Sequence, residues 1–152
     1  STEPPATRFS KRKLRAYVDG LSGKFEMRRI DEELYYRCLE LDFAKDFVRG
    51  FKDAKHFLNR GIGFVALRGE EIVGGASSFL RYQQGIEVEV SVRTDMRRRG
   101  IASACSARLI QASVEMGIYP GWDAANIESI RLAEKLGYRI KSGYTAYSVP
   151  SF

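Results

Sequence analysis

The chain has 152 residues, 44% of them hydrophobic and 29% charged, which supplies one domain-sized core and leaves no room for two comfortable ones. A formal charge of +6 favours an anionic partner without choosing among nucleic acid, a phosphorylated cofactor and an acidic membrane surface. Two cysteines and one histidine argue against a disulfide framework or a zinc site, and with no apolar run of roughly 18 residues and no signal-peptide core the cytoplasm is the expected compartment.

Residues 1–23 hold Pro4, Pro5 and the basic residues Lys11, Arg12, Lys13 and Arg15 without a core-forming pattern. They are expected to be an arm or boundary segment ahead of a single domain at 24–152. "KFEMRRI" (24–30) predicts a strand that runs into a helix opening on Asp31, Glu32 and Glu33, where negative side chains suit the dipole. "DFVRGFKDAKHFLNRG" (46–61) predicts helical structure broken at Gly50 and stopped at Gly61, with His56 a packed or surface histidine. "GFVALRGEEIVGGASSFLRY" predicts two strands around Arg68-Gly69-Glu70. "GIEVEVSV" (85–92) alternates strictly, with Ile86, Val88, Val90 and Val92 on one face and Glu87, Glu89 and Ser91 on the other. An arginine-glycine turn follows, then an amphipathic helix to about Met116, the run "IYPGWDA", a second helix from about Asn126 to Leu136, and a last strand through "GYTAYSV". Together these elements predict the α+β class, with a mixed, mostly antiparallel sheet and helices on both faces.

The turn carries the chemistry. Arg97, Arg98 and Arg99 stand beside Gly100 at a helix start, where the macrodipole is already positive and further cations cost stability unless an anion sits among them. A strand end, a turn of backbone amides and a helix N-terminus together make a phosphate site. It is neither a P-loop nor the dinucleotide fingerprint, since the required residues do not follow. A solvated basic cap is the alternative reading of these residues.

"VRTDMRRRGIA" resembles the acetyl-coenzyme A signature of the GNAT acetyltransferases, Arg/Gln-x-x-Gly-x-Gly/Ala, with Arg97, Gly100 and Ala102 in the defining places. "YPGWDAANIESIRLAEKLGY" (119–138), "YTAY" (144–147) and "GFVALRGEEIVGGASSF" are similar to the branch that includes zwittermicin resistance proteins, so the likeness covers roughly residues 45–148. It implies acetyl-coenzyme A as cofactor. Its pantetheine arm would pair with the strand before the loop at Val90, Val92 and Thr94, and its pyrophosphate would rest on Arg97, Arg98, Arg99, Gly100, Ile101 and Ala102. Asn126 matches a cofactor-touching position, the alternative being a helix N-cap. Ser129 is a further cofactor contact, and with Tyr144 and Tyr147 it is within the reach expected of the sulfur.

The implied reaction is attack of a substrate amine on the acetyl thioester, which needs a proton acceptor and oxyanion donors. Glu87 and Glu89 are the candidate bases, with solvent-facing strand residues as the alternative, and the backbone amide near Val92 is the candidate oxyanion donor. The resembled family often has a tyrosine in the second helix as general acid, where this chain has Ala133. No acid carries over, and water can protonate the leaving thiolate. Trp122 is read as core or as a cleft wall.

The sequence thus predicts an N-acetyltransferase acting on a primary amine of a small molecule, an antibiotic if the branch likeness reaches function. The alternative is a catalytically weak GNAT domain that senses acyl-coenzyme A. A nucleic-acid module rests on charge alone and no motif supports it. No membrane partner is expected, and the last strand leaves a homodimer open.

Overall fold

The computed structural model describes residues 9–124, 126–140 and 145–147. In chain order the elements are α1 (Lys11–Asp19), β1 (Glu26–Arg29), α2 (Glu32–Leu39), α3 (Ala54–Arg60), β2 (Gly63–Arg68), β3 (Glu71–Tyr82), β4 (Gly85–Val92), α4 (Ile101–Glu115), β5 (Tyr119–Asp123), α5 (Ile127–Leu136), β6 (Arg139–Ile140) and β7 (Thr145–Tyr147). Short 3₁₀ turns at Lys45–Phe47 and Thr94–Met96 precede α3 and α4. The strands form one mixed sheet in the order β1-β2-β3-β4-β5-β7-β6, with β4 and β5 the parallel pair. Helices cover both faces, as the sequence predicts for the α+β class.

One face of the sheet packs Val65, Leu67 and Ile72 against Leu34, Cys38, Phe47 and Phe57 from α2, α3 and the first 3₁₀ turn. The other packs Phe64, Ala66, Val73 and Ile86 against Ile101, Cys105 and Leu109 of α4. A third cluster joins Ala107 and Ile110 of α4 to Leu14 of α1, Trp122 of β5, and Ala133 and Leu136 of α5. Successive side chains of β2 enter the two cores in turn, Val65 and Leu67 one and Phe64 and Ala66 the other, which is why β2 and the first part of β3 are buried almost without a break while β4 alternates in sequence.

Two expectations are corrected. The segment read as an arm contains α1, capped by Ser10, whose Oγ accepts from Lys13 N–H at 3.2 Å. Its Leu14, with Phe9 just before the helix, is buried against the α4 and α5 cluster. The basic residues around Leu14 are exposed, while Tyr17 and Val18 join Leu14 on the inward side, an i, i+3, i+4 stripe short enough to be passed over beside the charge cluster. Helix α4, read as amphipathic, is buried on nearly every side, including Ser103, Ser106 and Ser113. It lies between the sheet and α1 with α5, and small residues let the backbones approach. At Gly74 on β3 an added Cβ would come within 2.7 Å of the Ile101 side chain, so this glycine sets how closely the start of α4 sits on the sheet. Among the described residues no helix is long and apolar enough to cross a membrane.

Candidate active site

Strands β4 and β5 pair only at Gly85↔Tyr119, Ile86↔Pro120 and Glu87↔Gly121. Beyond Glu87 strand β4 runs on to Val92, bonded on its other side to β3 as far as Gly74↔Val92. Arg93 N–H donates to Val73 O on the β3 side at 2.8 Å. Backbone groups alternate sides along a strand. The N–H and C=O of Val90 and Val92 therefore turn away from β3, toward the gap where β5 has left. This is a strand edge in the middle of a sheet.

The gap opens onto a cleft of about 620 Å³, within the usual range for a small-molecule site. Of the residues predicted to hold a cofactor, Val90, Val92, Arg97, Arg98, Gly100, Ile101, Ala102, Asn126 and Ser129 all line it. Thr94 and Arg99 are exposed and stand outside its lining. Thr94 leaves the line of β4 because the chain turns there into the 3₁₀ turn, and Met96 is buried in the core instead.

The loop between β4 and α4 is tightly fixed. Met96 anchors it from below at 3% exposure, and Arg93 makes two bonds to Asp95, at 2.7 and 3.1 Å. Arg98 has φ 64° and Gly100 φ 79°, the left-handed region that glycine enters freely and arginine does not. Such strain at Arg98 is held by its surroundings and is typical of a binding loop. The start of α4 has no side-chain cap, and its first helical bond runs from Ala104 N–H to Gly100 O at 3.0 Å. The N–H groups of Ile101, Ala102 and Ser103 are therefore left over at the positive end of the helix. None of Arg97, Arg98 and Arg99 has a carboxylate partner among the described residues. Amide donors, helix dipole and two guanidinium groups on one cleft suit a diphosphate, so the residues present fit coenzyme A.

On the far wall α5 begins at Asn126, whose Oδ1 accepts from Ser129 N–H at 2.8 Å. Asn126 is thus an N-cap and a lining residue at once. Trp122 is likewise both core, at 5% exposure, and cleft wall, and its indole N–H donates to Ser129 Oγ at 3.2 Å. That leaves the Ser129 hydroxyl proton free to point elsewhere. Ala133 is buried in the apolar cluster. Tyr144 lies outside the described residues, and of Tyr147 only the backbone in β7 is described.

The two candidate bases separate by position. Both are half-buried and neither lines the cleft. Glu89 is two residues from Ser91 on the same face of β4, and Ser91 does line it. Glu87 is four residues away, at the last position still paired with β5. Burial, and secondarily the Asp46 carboxylate, push the Glu89 carboxyl above its ordinary value. Asp46 is carried there by the 3₁₀ turn, which Ser77 pins by donating to Phe47 O at 2.6 Å, and Ser77 is the β3 partner of Glu89. His56 takes no part: its Nδ1 accepts from Lys52 N–H at 3.0 Å near the start of α3. Burial pushes the Cys38 and Cys105 thiols up to about 12, which removes both as nucleophiles.

Sequence reasoning missed Ser103, Leu132 and Lys135, which also line the cleft. Lys135 Nζ donates to Ser103 Oγ at 3.2 Å, joining the last turn of α5 to the first turn of α4. No spacing in the sequence signals that contact, because it depends on how the two helices pack.

Known proteins share this architecture. A family model described as GNAT acetyltransferase matches residues 1–147. The uncharacterized N-acetyltransferase YdfB of Bacillus subtilis (strain 168) is 29% identical over 123 residues, which are 80% of this chain and 47% of YdfB. A GCN5-related N-acetyltransferase-like protein from Streptococcus suis 89/1591, solved as a crystal structure, is 43% identical with a TM-score of 0.89, over 97% of this chain and 57% of that one. The chain thus spans about half the length of these two relatives. A predicted acetyltransferase from Clostridium acetobutylicum, solved with acetyl-CoA, has the same fold at 15% identity and a TM-score of 0.60, over 79% of this chain and 93% of that one.

Proposed function

The chain belongs to the GNAT acetyltransferase family, and from that premise we propose that it transfers an acetyl group from acetyl-coenzyme A to a primary amine of a small molecule. The observation that carries this reading is the parting of β4 from β5 beside an uncapped helix start. The free edge at Val90 and Val92 pairs with the amide groups of the pantetheine arm, as an added strand would. Arg97, Arg98 and the amides at the start of α4 hold the diphosphate.

Bound acetyl-coenzyme A supplies a thioester carbonyl, an electrophile for a neutral amine. Glu89 takes the amine proton, directly or through one water, as the new C–N bond forms. The Val92 N–H, aimed into the gap, donates to the oxygen that gains charge. Ser129 would donate a hydrogen bond to the sulfur as coenzyme A leaves, and water would protonate the thiolate while Glu89 gives up the amine's proton to solvent. The likeness of residues 119–138 and 144–147 to the zwittermicin-resistance branch supports an aminopolyol or amino-sugar-like antibiotic as the acceptor. A reducing cytoplasm suits the two free, buried cysteines.

Amine-dependent release of coenzyme A, compared between the native chain and Glu89→Gln, tests the reading. The variant is expected to lose roughly 10²- to 10⁴-fold in kcat with its affinity for acetyl-coenzyme A unchanged. Glu89 must be deprotonated to act, so the native rate climbs with pH through its pKa. Burial raises that pKa, and the acid limb is expected above the ordinary glutamate range. Binding of acetyl-coenzyme A with no release by any amine would instead favour the sensor reading.

A further inference from the structure

The cleft gathers more positive charge than a diphosphate requires. Arg97 and Arg98 come from the loop, and Lys135 comes from the opposite wall, on α5. Glu128 is the one acid among the described lining residues, and it sits in the first turn of α5, where it complements that helix's own dipole. A lysine in the last turn of a helix ordinarily serves its own carbonyl end. Lys135 does not turn that way. Its Nζ lies 3.2 Å from Ser103 Oγ, over the first turn of α4, and 5.5 Å from the centre of the Tyr17 ring on α1. No carboxylate pairs with it among the described residues. A third cation is therefore brought to the positive end of α4 from a different element, by contacts that hold it in place and do not neutralise it.

We propose that Lys135, steadied by Ser103 and Tyr17, is the recognition group for a second phosphate on the ligand, the phosphomonoester on the ribose of coenzyme A. This rests on the acetyltransferase reading and adds a specificity to it. The diphosphate carries two charges and is matched by the two loop arginines and the helix amides. The ribose phosphomonoester carries about −1.5 to −2 near neutral pH, and Lys135 is the remaining lining cation to meet it. The cleft would thereby discriminate coenzyme A from its 3′-dephospho form, which keeps the pantetheine arm, the diphosphate and the adenosine.

Calorimetric titration of the full chain with coenzyme A and with 3′-dephospho-coenzyme A reads this directly, without turnover. The native protein is expected to bind coenzyme A roughly tenfold more tightly than the dephospho form, since one charge-assisted bond to an exposed lysine is at stake. Lys135→Gln should bring the two affinities together by weakening coenzyme A alone. Unchanged binding of the dephospho form by that variant shows that its cleft is intact. Lys135→Arg should restore the preference. Equal affinities in the native chain, or an undiminished preference in Lys135→Gln, would overturn this inference and leave the acetyltransferase reading standing. Failure of the native chain to bind either ligand would overturn both.

Discussion

At the start of α5, Asn126 Oδ1 closes the first turn onto Ser129 N–H at 2.8 Å and Glu128 faces the dipole with the favourable sign. At the start of α4, Gly100 offers no side chain, the first turn holds no acid, and Arg97 and Arg98 bring charge of the unfavourable sign. Both starts border the same cleft. One is completed by its own residues and contributes a wall, while the other is left incomplete and, in the proposed function, is where the diphosphate would complete it. The difference teaches that a binding site can be recognised by the stabilising feature the chain has omitted, and not only by the groups it has added.

Gly100→Glu should separate the two starts most sharply. It puts a carboxylate where the anion belongs and forces a side chain to φ 79°, so acetyl-coenzyme A affinity is expected to fall by more than about 100-fold in calorimetry, with two like charges opposed and the left-handed strain added. An added Cβ meets nothing within 4 Å there, so Gly100→Ala should show the strain alone, about 1 to 2 kcal/mol of stability. Asn126→Ala is the converse. It should cost about 1 kcal/mol in denaturant unfolding and change cofactor affinity far less than Gly100→Glu does; an equal loss of affinity would mean that the two starts are not different in kind. The smallest effect is expected from Arg98→Gly. It relieves the strain at φ 64° and removes a cation from the positive helix end, so stability should rise by a few tenths of a kcal/mol to about 1, while binding weakens. A variant that is both less stable and unaltered in binding would show that Arg98 is a structural residue.

The loop side of this comparison was legible in the sequence because it is local. Arg97, Gly100 and Ala102 line the cleft from within one short stretch of chain, and the alternation of β4 marks which residues share a face. Asn126 was legible for the same reason, its cap bond reaching three residues along the chain. Lys135 and Ser103 are 32 residues apart, and nothing in either segment points to the other. The parting of β4 from β5, which creates the gap, followed only from the family resemblance and not from spacing or periodicity, since strand order is settled by the packing of whole elements. Helix α4 misled in the opposite direction: its sequence reads as amphipathic, yet it is buried on nearly every side, and the Ser113 hydroxyl is satisfied inside the helix, donating to Leu109 O at 2.8 Å.

Helix α1 has a consequence for how the chain comes into being. Its Leu14 is seated among residues of α4, β5 and α5, so α1 has its resting place made by elements that leave the ribosome roughly 90 residues after it. At about 5 to 20 residues per second on the ribosome, α1 waits on the order of 5 to 20 seconds with its apolar side uncovered. Its five charged side chains, Lys11, Arg12, Lys13, Arg15 and Asp19, are exposed in the folded protein and would suit the segment to water during that interval.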